Sequence, residues 1–125
     1  MARETFTTDR IAVPVGPFSP AVRARRVHIP ERAGRSGRRH GSTHRRDVAA
    51  QIEQILKNLE AVLHAAGKTF ADVIKASAFL TDMRDFSAMN AVYERHFEAP
   101  YPARTTVAVA ALPLGTAMEI ELIVR

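Results

Sequence analysis

The chain has 125 residues, 46% of them hydrophobic, and a formal net charge of +5, which suits one compact domain over residues 1–125 with a real core. It contains no cysteine, so disulfides, thiolate metal sites and a cysteine nucleophile are excluded. No apolar run approaches the ~20 residues that span a bilayer, and the polar start, with Glu4 and Asp9, does not read as a secretory signal, so a soluble cytoplasmic protein is expected.

In chain order, Ile11 to Val15 is a short apolar run followed by Pro17 and Pro20, which predicts an edge strand entering a turn. From Asp47 to Ala66 the apolar residues Val48, Ile52, Ile55, Leu56, Leu59, Val62, Leu63 and Ala66 recur at three-and-four spacing, which predicts a helix with one apolar face. Asp47 can cap its start and Gly67 can end it in a left-handed conformation. His64 falls in the last turn, near the helix's negative end. Val73 to Leu80 predicts a strand, with Asp82 and Asp85 after it as turn or cap residues. Phe86, Met89, Val92, Tyr93 and Phe97 mark one face of a second helix, with His96 near its end. Thr105 to Ala111 is β-branched, Leu112 to Gly115 is a turn, and Met118, Ile120, Leu122 and Val124 alternate with Glu119, Glu121 and Ile123. Two strands joined by a short turn predict an antiparallel hairpin. The order of elements predicts an α+β layer with helices on one face of a sheet. Neither a Gly-rich phosphate loop nor metal-ligand spacing appears.

The basic charge is concentrated. Residues 23–46 carry nine arginines against the single acid Glu31, so the rest of the chain is net acidic. The stretch RRVHIPERAGRSGRRHGSTHRR at 25–46 has no hydrophobic period and, as written, is not expected to supply a buried strand. Two readings fit it. One is a flexible basic loop that binds an acidic partner. The other is a gene segment read in a shifted frame, since codon degeneracy permits GGFIYLSGQVGRDDATGALIAG in the neighbouring frame before Asp47 resumes. The shifted text would bury Phe, Ile, Tyr and Leu at 27–30, where each large side chain contributes roughly 1.5–3 kcal/mol. A chain made as written is therefore expected to fold poorly or to leave this stretch loose.

Several pieces together resemble the Rid (YjgF-type) family of enamine/imine deaminases. They are VGPFSPAVRA at 15–24, DVAAQIEQILKNLEAVLHAAG at 47–67, FADVIKASAFLTDMRDF at 70–86, MNAVYERHF at 89–97 and YPARTTVAVAALPLGTAMEIELIVR at 101–125. PAR followed by LP-x-G and then EIE is the most specific combination, and the gap in the resemblance falls on residues 25–46. The resemblance implies a chorismate-mutase-like mixed sheet with two helices on one face, a homotrimer, and sites in the clefts between subunits. A sheet with helices on one side alone leaves its other face to be buried elsewhere, which agrees.

The implied reaction is hydrolysis of 2-imino or enamine acids to 2-keto acids and ammonia, needing no metal or organic cofactor and no membrane or nucleic acid partner. Arg104 matches the arginine that holds the substrate carboxylate, a task suited to a planar fork of N–H donors. Glu119 matches a glutamate that can position water or relay protons; Glu121, two residues on, shares its face. Thr106 points to the same face as Arg104 by strand alternation and matches a small polar or thiol residue. Asn90 matches a polar residue of the cleft. Phe18 stands where the family usually has tyrosine, which removes a hydroxyl. Arg32 stands at the family's turn glycine, whose backbone N–H contacts substrate. Without the resemblance, Arg104 reads as a surface arginine at a strand end and Glu119 as a solvated alternating residue. Two other classes stay open: a non-catalytic trimer that senses keto acids or acts as a chaperone, and RNA binding or cleavage through the arginine segment. The segment's lack of aromatic residues to stack bases weighs against the last.

Overall fold

The computed structural model describes residues 4–13, 19, 21–23, 27–32 and 47–125, and for residues 22, 23 and 27–32 it describes the backbone. The order is β1 (Glu4–Phe6), β2 (Ala21–Arg23), β3 (Val27–Arg32), α1 (Val48–Ala65), β4 (Val73–Leu80), α2 (Phe86–His96), β5 (Ala103–Ala108) and β6 (Met118–Val124). The strands form one sheet in the order β1-β2-β3-β6-β4-β5. β4 and β5 are parallel and the other pairs antiparallel, so the sheet is mixed and the class is α+β with two helices.

The long helix forms where its periodicity and its ends agree. The Asp47 side chain accepts from the Ala50 backbone N–H at 3.1 Å, which satisfies one of the free donors of the first turn. At the other end Gly67 takes φ +69°. Its N–H donates to the His64 carbonyl at 3.0 Å and that of Lys68 to Leu63 at 2.8 Å, a complete Schellman stop. Between these ends Ile52, Ile55, Leu56, Leu59 and Leu63 are buried to the last atom. They pack with Met89 and Val92 of α2 against Ala76, Ala78 and Leu80 of β4 and Met118, Ile120 and Leu122 of β6. A large apolar side chain buried this way contributes roughly 1.5–3 kcal/mol, and both helices are thereby held to one face of the sheet.

Three expectations need correction. Ile11 to Val13 is not a strand, and residues 14 and 15 lie outside the described residues; the N-terminal strand is instead Glu4–Phe6, paired to β2. Thr105 to Ala111 and Met118 to Val124 do not form a hairpin. β5 spans Ala103–Ala108 and lies parallel to β4, while β6 takes the opposite edge of β4. A crossover through α2 suits parallel pairing, and β4 then has one free edge for β6. The basic stretch does supply a strand: residues 27–32 pair in register with β6, from Val27 opposite Val124 to Arg32 opposite Glu119. Main-chain hydrogen bonding does not need a hydrophobic period, and Pro30 falls where β2, paired at Val27 and His28, no longer covers the strand. Residues 33–46 lie outside the described residues. Asp82 and Asp85 are turn and cap residues as expected: Asp82 caps a short 3-10 turn by accepting from the Arg84 N–H, and Asp85 ends that turn and precedes α2 without a side-chain cap hydrogen bond.

Candidate active site

Arg104 enters on β5, the last strand of the sheet. In register it lies beside Ala76, which is fully buried, and Thr106 lies beside Ala78, which is 2% exposed. Side chains opposite each other in register share a face, so Arg104 and Thr106 both point to the helix side. There α2 meets them. The Arg104 Nη2 donates to Asn90 Oδ1 at 2.7 Å. Its Cζ lies 4.8 Å from the ring centre of Tyr93 and 5.6 Å from that of Phe86. Phe86, Asn90 and Tyr93 fall four and three residues apart, hence on one stripe of the helix. Two of the residues singled out in the sequence, Arg104 and Asn90, are thus in contact, and Thr106 stands next along the same face.

This corner between α2 and β5 holds two more polar atoms. The hydroxyls of Tyr93 and Thr106 are buried and make no hydrogen bond among the described residues. Burial pushes the Tyr93 phenol up from its ordinary range, an effect that the Arg104 charge partly offsets. A fixed cation flanked by unused hydroxyls favours a small anion with further polar atoms.

Glu119 is elsewhere. It is half-buried on β6, opposite Phe79 of β4 and the backbone of Arg32 on β3, while Met118 and Ile120 beside it are core residues. Its side chain therefore points to the sheet face without helices, as does that of Glu121 opposite Ser77. Within one chain Arg104 and Glu119 are on opposite faces, with β4 between their strands. Of Arg32 the backbone is described, and Phe18 lies outside the described residues.

A second polar contact joins the helices. His96 Nε2 and Glu53 Oε2 lie 2.5 Å apart, and Arg95 approaches Glu53 at 3.7 Å. The hydrogen bond to His96 holds the Glu53 carboxyl below its ordinary range. Phe70 sets its edge against the His96 ring, so His96 ties α1 to α2. His64 is exposed at the end of α1. Among the described residues no group of three histidines or carboxylates is placed to hold a metal ion, and no helix is long and apolar enough to cross a membrane.

Sequence reasoning missed Phe86 and Tyr93 as neighbours of Arg104, since both had been assigned to the apolar face of their helix. Their spacing with Asn90 was the available signal: any ligand group that Asn90 reaches is flanked by residues four before and three after it.

The family profile described as Endoribonuclease L-PSP matches residues 7–125. The chain is 37% identical over 124 residues to the 2-iminobutanoate/2-iminopropanoate deaminase of Bos taurus, covering 98% of this chain and 90% of that protein. Among solved structures, RidA from the Antarctic bacterium Psychrobacter sp. PAMC 21119 is 36% identical with a TM-score of 0.84, covering 98% of both chains. The structure of E. coli TdcF with bound serine is 33% identical with a TM-score of 0.84, again covering 98% of both chains.

Proposed function

The chain belongs to the endoribonuclease L-PSP family, which includes the YjgF and RidA proteins, and from that premise we propose that it hydrolyses 2-imino acids to 2-keto acids and ammonia. The observation that carries this reading is the Arg104 guanidinium, fixed by Asn90 and two rings with in-plane donors to spare. Such a fork fits a carboxylate in two parallel hydrogen bonds. The relative that is named a 2-iminobutanoate/2-iminopropanoate deaminase and the relative that holds serine, itself a small carboxylate, support that ligand class. A half-buried cation beside a helix suits a small anion better than a polynucleotide backbone.

In this reading water adds to C2 of the protonated imine, giving a tetrahedral aminoalcohol. A proton moves from oxygen to nitrogen, the C–N bond breaks as ammonia leaves, and the remaining hydroxyl gives up its proton, to ammonia in the net reaction, so that C2 becomes a ketone. The protein holds the acid group, places the water and moves the proton. Glu119 is the proton-handling group. Since one sheet turns Arg104 and Glu119 to opposite sides, a second copy of the chain completes the site. A homotrimer does this while covering the face that carries Phe79, Val107 and Ile123. The backbone of Arg32 pairs with that of Glu119, and no cofactor takes part.

The test generates 2-iminobutanoate or 2-iminopropanoate enzymatically and follows its loss with and without the protein. Faster loss with the wild type and not with Arg104→Ala is expected. Equal decay, or full activity in Arg104→Ala, overturns the reading.

A further inference from the structure

The Arg104 guanidinium has three neighbours on α2, and two of them are aromatic rings. A guanidinium carries all five N–H donors in its plane and none on its faces. A ring laid against a face therefore engages it without consuming donors. Asn90 takes one hydrogen on Nη2, and the other in-plane donors make no hydrogen bond among the described residues. Tyr93 is the nearer ring. It is 5% exposed and stacks on Phe97 with centroids 4.2 Å apart and planes 17° from parallel. Phe97 in turn packs against Phe70 at 4.8 Å. The ring beside Arg104 is thus the front of an aromatic column anchored in the core, with little freedom to turn aside. Its hydroxyl makes no hydrogen bond among the described residues, so what Tyr93 offers Arg104 is the ring.

We infer that Tyr93, with Phe86 as the second wall, is a positioning residue for Arg104: the two rings set the plane of the guanidinium and so the direction in which it accepts a carboxylate. This rests on the deaminase reading for its ligand, so the experiment also reads Arg104 directly. In protein with labelled arginine, the Arg104 Nε–H resonance is assigned by its loss in Arg104→Lys. Tyr93→Leu, or Phe86→Leu should Tyr93→Leu not fold, is expected to shift that resonance as the ring current is removed. Tyr93→Phe, which keeps the ring, is expected to leave it near the wild-type position. Binding of 2-oxobutanoate, measured by titration calorimetry, is expected to weaken about three- to tenfold in Tyr93→Leu and to be largely restored in Tyr93→Phe. In an Arg104→Ala background Tyr93→Leu is expected to add no further loss. An unmoved Arg104 resonance in a folded ring variant, or the same loss of binding with and without Arg104, overturns the inference. A wild type that neither binds nor deaminates while the resonance still moves overturns the deaminase reading and leaves the positioning role standing.

Discussion

Arg104 donates from Nη2 to the side-chain oxygen of Asn90 at 2.7 Å, and because arginine has no acceptor this contact fixes which end of the Asn90 amide faces it. The amide nitrogen is thereby turned away from Arg104, available to a ligand. Asn90→Leu removes a hydrogen bond to a charged group, a type of contact that contributes roughly 1.5–3 kcal/mol. An increase in KM of about tenfold with a smaller change in kcat is expected. Asn90→Asp is expected to be worse, since a fixed carboxylate would compete for the fork. Steady-state deamination kinetics check both.

Thr106 carries a buried hydroxyl without a partner among the described residues. Thr106→Val keeps the shape and removes the hydroxyl. Stability is expected to rise by about 1 kcal/mol, the scale on which burying an unpaired polar group costs free energy. Deamination is expected to slow in the same variant. Urea denaturation and an activity assay on one preparation measure both; a gain in stability with unchanged activity would assign the hydroxyl no part in the reaction.

Glu119 and Glu121 share a sheet face two residues apart, so paired variants separate their roles. Glu119→Gln is expected to lower kcat about a hundredfold with KM little changed, as for loss of a proton-transfer group. Glu121→Gln is expected to lower it less than about threefold. Comparable losses in the two variants would point to the charge of the face and not to a proton donor or acceptor.

Acid is expected to loosen the contact between the helices. The folded Glu53 carboxyl sits below its ordinary value of 4.5, chiefly through the hydrogen bond to His96 and then through the charges of His96, Arg95 and Lys57. A lowered folded value stabilises above the unfolded one, and that share is lost as pH falls below 4.5 through the folded value. Glu53 is about one-third exposed, so solvent screens the contact and the share is less than about 1 kcal/mol. Thermal melting between pH 6 and pH 3 is expected to show a shallower decline in Glu53→Gln than in the wild type.

At Gly67, φ is +69° and a Cβ would meet nothing within 4 Å. The cost of Gly67→Ala is then conformational alone, about 1 kcal/mol. A loss well above that in urea denaturation would mean that the Schellman stop itself is disrupted.

The helix α1 was legible from end to end because both of its stops are chemical: a carboxylate that accepts from the first turn and a glycine that tolerates positive φ. β4 and β6 were legible in their bounds because alternation reports which side of a strand is buried. Alternation does not report which strand lies alongside, so β5 and β6 were joined as a hairpin although β4 separates them. β1 was missed because three residues with mostly exposed side chains carry no period. β3 was missed because VHIPER pairs through its main chain, which a side-chain pattern does not disclose. At the site, the shared side of Arg104 and Thr106 followed from a period of two. That Glu119 faces away from both needed the register across β4, and that register depends on residues far apart in the chain, Ala76 with Arg104 and Phe79 with Glu119.

Among the described residues, the three side chains that touch the guanidinium come from α2, over residues 86 to 93, while the cation itself rides on the outermost strand. The ligand grip is therefore a module of one helix and one border strand, with most of the hydrophobic interior behind it. Exchanges confined to that short stretch could retune which acid is gripped without rewriting the scaffold, and relatives with unlike metabolic roles would be expected to differ there first.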